Sequence, residues 1–84
     1  MTREPEPSLD ARDLRFAVIA SRFNEAIVRR LADAATDVLT RRGARPDEIE
    51  RFWVPGAFEL PLAARWAAAT RRFDAVLAFG AVIR

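Results

Sequence analysis

The sequence predicts an α/β fold built on a parallel β-sheet. Three short apolar segments alternate with two segments of helical periodicity, so the order along the chain is β-α-β-α-β. Strands and helices in alternation favour a parallel sheet with right-handed crossovers. The first segment, residues 14–20, is apolar almost throughout, which is typical of a strand buried on both faces of such a sheet. A chain of 84 residues supplies one small core, so we expect one domain.

The first helix is predicted over residues 25–42, between two boundary residues. Asn24 is placed as its N-cap, and Gly43 ends it after arginines that suit the negative end of the helix dipole. Six apolar residues recur at helical spacing and predict the face turned toward the core: Ile27, Leu31, Ala34, Ala35, Val38 and Leu39.

The second half of the sequence predicts a strand, a helix and a further strand. A surface loop over residues 44–50 precedes a short strand over 51–54, and Pro61 then fits the first turn of a helix. Asp74 opens the third strand, residues 75–83. The helical positions predicted to face the core are Leu62, Trp66, Ala69 and Phe73.

The third strand is also the last segment of the sequence. A doubly wound sheet needs helices over both faces of every strand, and nothing after residue 84 is there to cover this one. We therefore expect an α/β domain truncated to β-α-β-α-β, with a natural three-stranded module as the alternative.

The composition narrows the classes of function. The sequence has no cysteine and no histidine, so disulfides and thiolate or imidazole metal ligands are excluded, and acid–base chemistry would fall to carboxylates or water. All 14 basic residues are arginines interleaved with acids, for a net charge of +2, which does not indicate a nucleic-acid-binding surface. No run reaches the ~18 apolar residues of a membrane span. Polar residues 1–13 predict a disordered N-terminal arm without a signal peptide, in a cytoplasmic protein.

Candidate binding residues follow the carboxyl ends of the predicted strands. If the sheet is parallel, the segments 21–24, 55–59 and 81–84 all gather at one edge, where ligands bind in open parallel sheets. Two of these segments pair an aromatic ring with a polar side chain: Phe23 with Asn24, and Phe58 with Glu59. This chemistry suits a planar heterocycle carrying a polyol chain.

Each of these residues also has a purely structural interpretation. Asn24 would serve as an ordinary N-cap, Glu59 would complement a helix dipole, and Phe23 and Phe58 would fold back into the core. The glycine-rich signatures of dinucleotide and nucleoside triphosphate sites are absent from the sequence.

Three stretches in register resemble one enzyme family. SRFNEAIV, WVPGAFELP and FDAVLAFGAVIR are similar in order and spacing to the N-terminal half of 6,7-dimethyl-8-ribityllumazine synthases, across roughly residues 14–84. The resemblance implies a flavodoxin-like three-layer α/β/α subunit with strand order 2-1-3-4, of which residues 14–84 form the N-terminal part. It further implies assembly as pentamers or sixty-subunit shells.

The resemblance also implies a reaction and its binding residues. Members of the family condense 5-amino-6-(D-ribitylamino)uracil with 3,4-dihydroxy-2-butanone 4-phosphate in riboflavin biosynthesis, without cofactor or metal. Phe23 would stack on the pyrimidine, and Glu59 would accept from ribityl hydroxyls near Asn24. The remaining substrate-binding positions are Gly56, Ala57, Phe58, Ala81, Val82 and Ile83. The family's histidine proton shuttle follows the position of Arg84, so the resemblance implies no catalytic residue within these 84 residues.

Two other functions stay open on the sequence. One is a shortened subunit that joins full-length synthase without catalysis, through the unpaired edge of its third strand. The other is a generic nucleotide- or phosphate-binding half-domain, which would require a glycine-rich loop after the first strand, where SRFN has no glycine.

Overall fold

The structure, a computed structural model, describes residues 10–83. Strand β1 spans Phe16–Ser21 and leads into helix α1, Glu25–Arg41. Strand β2, Ile49–Val54, is followed by helix α2, Leu60–Ala69, and strand β3, Ala75–Phe79. Short 3-10 helices precede β2 and α2, at Pro46–Glu48 and Ala57–Glu59. The predicted order β-α-β-α-β is confirmed.

The three strands form one parallel sheet in the order β2-β1-β3. The central strand β1 pairs with both neighbours, and Phe16 lies opposite Ile49 on one side and Ala75 on the other. At the other end of the sheet Ser21 lies opposite Val54, and Ala20 lies opposite Phe79. The carboxyl ends of all three strands therefore meet at one edge, and the predicted parallel α/β fold is confirmed.

Alternate residues of β1 point to opposite faces of the sheet, and each face is covered by a different helix. Phe16 belongs to a buried cluster against which Leu39 of α1 packs. Ala17 and Ile19 form a second cluster with Ala67 of α2. All six residues of β1 are buried, because a strand covered on both faces has no solvent side. The result is a three-layer α/β/α arrangement, as predicted.

The predicted core face of α1 is wrong for its largest residues. Val28 and Ala32 are fully buried, whereas Ile27, Leu31 and Val38 are exposed. The apolar residues of this helix form two adjacent rows one residue apart, and the row that meets the sheet is the one containing the small Ala32. Of the other predicted positions, Ala35 and Leu39 are half-buried and Ala34 is exposed.

The predicted core face of α2 is wrong in the same way. Ala67 is buried, while Leu62 is 72 % exposed and Trp66 and Ala69 also face outward. Ala67 packs together with two half-buried alanines, Ala63 and Ala64, so small side chains let the helix axis approach the sheet closely. Of the predicted core residues only Phe73, in the loop after the helix, packs against this cluster.

Strand boundaries also differ from the sequence prediction. β1 begins at Phe16 because Asp13, with φ of 63°, turns the chain just before it, and Leu14 is exposed. β2 begins at Ile49, inside the predicted loop, because its pairing with β1 starts opposite Phe16. β3 ends at Phe79, since its pairing with β1 extends only as far as Ala20.

The chain before β1 is described from residue 10 onward. Residues 1–9 of the predicted arm lie outside the described residues, whereas Ala11 is buried beside Phe16 and Ala44. The Ala11 amide donates to the Arg42 carbonyl at 2.9 Å, so this segment crosses the end of α1. Neither α1 nor α2, the helices found within residues 10–83, is long and apolar enough to cross a membrane.

Candidate functional site

A depression of about 380 Å³ lies beyond the carboxyl ends of the strands. It is formed by the loop after β1, the turn between β2 and α2, and the segment after β3. The lining residues are Phe23, Pro55, Gly56, Ala57, Phe58, Glu59 and Val82. Six of them were predicted as binding residues from the sequence, all except Pro55. The structure thus brings the three predicted segments together at one edge of the sheet.

The turn between β2 and α2 presents an aromatic ring and a carboxylate side by side. Gly56 is extended, and the 3-10 helix Ala57–Glu59 follows it directly. Pro61 then occupies the first turn of α2, where its missing N–H leaves no hydrogen bond unmade. The Phe58 side chain is 98 % exposed. A core role for Phe58 is therefore wrong, and its ring is free for contact with a ligand.

Glu59 lies at the N-cap position of α2 but makes no side-chain capping hydrogen bond. The backbone amide of Glu59 donates to the Gly56 carbonyl at 3.2 Å, and the Glu59 carboxylate folds back over Gly56. A Cβ added to Gly56 would lie 3.6 Å from Oε1 of Glu59, in ordinary contact. The carboxylate is half-buried at the wall of the depression, where it can accept hydrogen bonds from ligand hydroxyls.

The loop after β1 carries Phe23 and Asn24. Phe23 is exposed and lines the depression, so the interpretation of this ring as a core residue is also wrong. Asn24 is at the predicted N-cap position, and its backbone carbonyl accepts from the amides of Ile27 and Val28 at 3.0 and 3.1 Å. Its side chain makes no capping bond, because φ and ψ of 58° and 45° turn it away from the helix.

The Asn24 side chain reaches the segment after β3. Nδ2 of Asn24 donates to the carbonyl oxygen of Ala81 at 2.8 Å. Three predicted site residues, Asn24, Ala81 and Ile83, do not line the depression. Val82, which lies between Ala81 and Ile83 in the sequence, does. These three predicted site residues therefore lie next to the depression, with Asn24 and Ala81 bonded to each other.

An arginine–tryptophan cluster fixes the start of α1 beside the site. The guanidinium of Arg29 lies 4.7 Å from the centroid of Trp53, and that of Arg22 lies 5.3 Å from it. Glu25 accepts from Arg29 at 3.1 Å and from Arg22 at 3.2 Å. The hydrogen bond from Arg29, followed by the weaker one from Arg22, lowers the pKa of the Glu25 carboxyl. The Arg22 amide also donates to the Val54 carbonyl, so the loop is tied to β2.

Ser21 and Gly80 lie at the carboxyl ends of β1 and β3, next to the depression but not in its lining. Ser21 belongs to the predicted segment 21–24, but neither residue was singled out from the sequence. The Ser21 hydroxyl is fully buried and has no hydrogen-bond partner among the described residues. A Cβ on Gly80 would lie 2.8 Å from Cδ1 of Leu60 and 3.4 Å from Oγ of Ser21, so β1, α2 and β3 meet there. For Gly80 the sequence did carry a signal: a glycine inside a predicted strand, here residues 75–83, often marks a place where another part of the chain approaches the backbone closely.

A second depression, of about 170 Å³, lies at the opposite, amino edge of the sheet. It is lined mainly by charged residues, and Arg72 on its wall pairs with Glu50 at 2.8 Å. Arg15 pairs with Asp74 at 3.5 Å. These ion pairs satisfy the charges locally, so this depression is a weaker candidate for ligand binding than the one at the carboxyl edge.

Sequence comparisons identify related proteins. The model of the family described as 6,7-dimethyl-8-ribityllumazine synthase matches residues 13–84. The curated 6,7-dimethyl-8-ribityllumazine synthase of Clostridium kluyveri is 48% identical over 79 residues, and that of Syntrophus aciditrophicus is 51% identical over 79 residues. Each alignment covers 94% of this chain and 51% of the relative. The chain therefore spans about half the length of the curated relatives it matches.

Proposed function

The chain belongs to the 6,7-dimethyl-8-ribityllumazine synthase family, and we propose that it takes part in that reaction of riboflavin biosynthesis. The proposed substrates are 5-amino-6-(D-ribitylamino)uracil and 3,4-dihydroxy-2-butanone 4-phosphate. The reaction joins an amine to a ketone, releases phosphate and water, and closes a second ring. The proposal involves no cofactor and no metal, as the resemblance implies.

One observation carries the proposal more than any other. An almost fully exposed Phe58 ring stands directly beside the Glu59 carboxylate on the wall of the depression. An exposed apolar ring is costly in water unless a ligand or partner covers it, and a planar heterocycle would do so by offset stacking. The adjacent carboxylate then accepts hydrogen bonds from hydroxyls of the ribityl chain.

The other residues of the depression receive roles consistent with their positions. Phe23 lies on the opposite loop and would contact the pyrimidine ring, while Gly56 and Ala57 leave backbone room for the ribityl chain. Val82 and Ile83 would approach the ring edge through their backbone groups. The Ala81 carbonyl already accepts from Asn24, so only one of its lone pairs is free for a ligand.

The proposed contribution of these residues is binding and orientation. None of the 84 residues is a histidine, so no imidazole in this sequence is available to carry a proton. Holding two substrates in reactive geometry is itself a large part of catalysis, because it replaces a bimolecular encounter by an intramolecular one.

Calorimetric titration with 5-amino-6-(D-ribitylamino)uracil tests the proposal. We expect saturable binding that weakens roughly tenfold in Glu59→Gln, because a charged acceptor is replaced by a neutral one. Glu48→Gln is the matched control, since Glu48 lies at the amino edge and should leave binding unchanged. Absence of binding by the unsubstituted protein, or equal weakening by both substitutions, would contradict the proposal.

We further propose that the chain works within a homo-oligomer, either a pentamer or a sixty-subunit shell. Both helices leave large apolar side chains in solvent: Ile27, Leu31 and Val38 on α1, and Leu62 and Trp66 on α2. Exposed apolar faces of this kind commonly mark association surfaces. Leu31→Glu should shift the assembly toward smaller species in sedimentation velocity, whereas Arg41→Glu, at the exposed end of α1, should not.

The same faces favour the second candidate function, a partner of full-length synthase without catalysis of its own. The two functions differ in a mixing experiment with a full-length family member. Co-sedimentation without binding of the pyrimidine would favour the assembly role, whereas binding of the pyrimidine by the chain favours the synthase role.

A further inference from the structure

We propose that Asn24 is a positioning residue, whose side-chain amide holds the segment 81–83 against the loop after β1 and thereby sets the width of the depression. The proposal rests on the proposed function for the identity of the ligand. The positioning itself is a property of the free protein and is tested separately below.

The backbone of Asn24 is arranged for this contact. Its φ of 58° and ψ of 45° place it in the left-handed region, which asparagine tolerates better than most residues do. An N-cap side chain ordinarily accepts from an amide in the first turn of its helix, in addition to the bonds that its backbone carbonyl accepts, but the Asn24 side chain makes no such capping bond. Its amide group donates to the Ala81 carbonyl instead.

The segment that Asn24 contacts has little else to hold it. Val82 is 71 % exposed and Ile83 is 59 % exposed, so packing fixes their positions weakly. Among residues 10–83, the bond from Asn24 is the hydrogen bond that anchors the stretch 81–83. Gly80, just before it, has little room around it, because an added Cβ would lie 2.8 Å from Cδ1 of Leu60. The exposed stretch begins after Gly80, and the bond from Asn24 holds it at its first residue, Ala81.

The contact joins two walls of the depression. Asn24 follows Phe23, which lines one side, and Ala81 precedes Val82, which lines the other. The bond from Asn24 to Ala81 thus sets the separation of Phe23 and Val82 on the two sides of the depression. A lost contact would widen the depression and leave the segment to be ordered by the ligand, which weakens binding.

Two substitutions separate positioning from direct ligand contact. Asn24→Gly accommodates the left-handed backbone and removes the whole side chain. Asn24→Asp keeps an oxygen acceptor for ligand hydroxyls, but it has no N–H to donate and its charge repels the Ala81 carbonyl. Arg71→Gly is the matched control, because Arg71 has a φ of 58° and lies in the loop between α2 and β3, at the other edge.

The first measurement is backbone ¹⁵N NMR relaxation of the free protein, which reports the mobility of each residue on the picosecond to nanosecond timescale. We expect the heteronuclear NOE values of residues 81–83 to fall in both Asn24 variants, with the rest of residues 10–83 unchanged. Arg71→Gly should leave the values of residues 81–83 equal to those of the unsubstituted protein. Unchanged values for 81–83 in both Asn24 variants would overturn the proposal, and lower values throughout the chain would do so too, because they would indicate a general structural role.

The second measurement is calorimetric titration with 5-amino-6-(D-ribitylamino)uracil. We expect both Asn24 variants to bind roughly five- to tenfold more weakly, as loss of one hydrogen bond of this kind produces. Normal affinity in Asn24→Asp together with weak binding in Asn24→Gly would assign Asn24 to direct contact through its oxygen and overturn the proposal. Normal affinity in both variants would overturn it as well. If the unsubstituted protein does not bind this compound, the proposed function fails, while the NMR relaxation measurement still decides the role of Asn24.

Discussion

The structure predicts opposite phenotypes for alanine substitution at two phenylalanines. The Phe58 ring is 98 % exposed on the wall of the depression, so its truncation removes almost no buried surface. Phe52 of β2 is half-buried and makes edge-to-face contacts with Trp66 at 5.3 Å and with Phe73 at 6.0 Å between ring centroids. Phe58→Ala should therefore affect ligand binding alone, whereas Phe52→Ala should affect stability.

The expected magnitudes follow from burial. Full burial of a phenylalanine side chain stabilises a fold by ~1.5–3 kcal/mol, so loss of the nearly unburied Phe58 ring should change the free energy of unfolding by less than ~0.5 kcal/mol. Truncation of a buried phenylalanine costs ~3–5 kcal/mol, and the half-buried Phe52 should cost about 2–3 kcal/mol. Loss of ring stacking at Phe58 should weaken binding of the pyrimidine by ~1–3 kcal/mol, or roughly 5- to 150-fold in Kd.

Urea unfolding and calorimetric titration with the ribityl pyrimidine measure the two quantities on the same samples. Phe52→Leu is the control for Phe52→Ala, because it keeps most of the apolar volume and should cost about 1 kcal/mol. The reasoning is refuted if Phe58→Ala destabilises the fold as much as Phe52→Ala, which would mean that the Phe58 ring is packed in the protein. It is equally refuted if Phe58→Ala binds the pyrimidine with unchanged affinity.

Three further perturbations test the packing at the carboxyl ends of β1 and β3 and the surface charges. Ser21→Ala should raise the free energy of unfolding by about 1 kcal/mol in urea titrations, because it removes a buried hydroxyl that has no hydrogen-bond partner within residues 10–83; a loss of stability would show that the hydroxyl makes a hydrogen bond in the folded protein. Gly80→Ala should lower the free energy of unfolding by ~1–3 kcal/mol in the same titrations, because its new Cβ presses on Leu60, the first residue of α2. It should also weaken pyrimidine binding; an unchanged affinity would show that the packing around Gly80 does not affect the ligand site. The hydrogen bond from Arg12 lowers the pKa of Asp10 to about 2, and arginines also lower the pKa of Glu25. A carboxyl with a depressed pKa stabilises the fold above its unfolded pKa, so thermal melts should show declining stability as pH falls from about 4 to 2; flat melting temperatures across that range would contradict this.

The sequence was sufficient for the order of elements and for the sheet. Alternation of strands and helices predicted a parallel sheet, and the continuous apolar run predicted a strand over residues 14–20 that is buried on both faces. The structure confirms both, with β1 at Phe16–Ser21. The central place of β1 agrees with the strand order that the family resemblance implies. Strand ends were less predictable. Ile49 and Glu50 read as a loop because they follow Pro46 and Asp47, yet pairing with β1 draws both into β2. The start of β2 is set by its pairing with β1, so the residues around Ile49 do not determine it by themselves.

The site was predictable to the extent that topology alone determines it. Residues that follow parallel strands must share an edge, and six of the nine predicted positions line one depression there. The direction of the Asn24 side chain was not predictable, because it depends on a left-handed backbone and on the distance to Ala81. The buried hydroxyl of Ser21 was likewise hidden, since a serine at the end of an apolar run reads as the start of a polar loop.

The errors on the two helices have one physical cause, and it bears on assembly. Each helix carries two adjacent apolar rows, and helical periodicity alone does not tell which of the two meets the sheet. On α2 the exposed row holds the large residues Leu62 and Trp66 and the buried one holds alanines. The sheet makes the selection, because close approach of α2 to β1 requires Ala67 at the contact, and Ala32 is buried in the same way on α1. The large side chains, such as Leu31 and Trp66, are left in solvent. Large apolar side chains exposed on both outer layers are typical of association surfaces that a second subunit covers, which supports the proposed homo-oligomer.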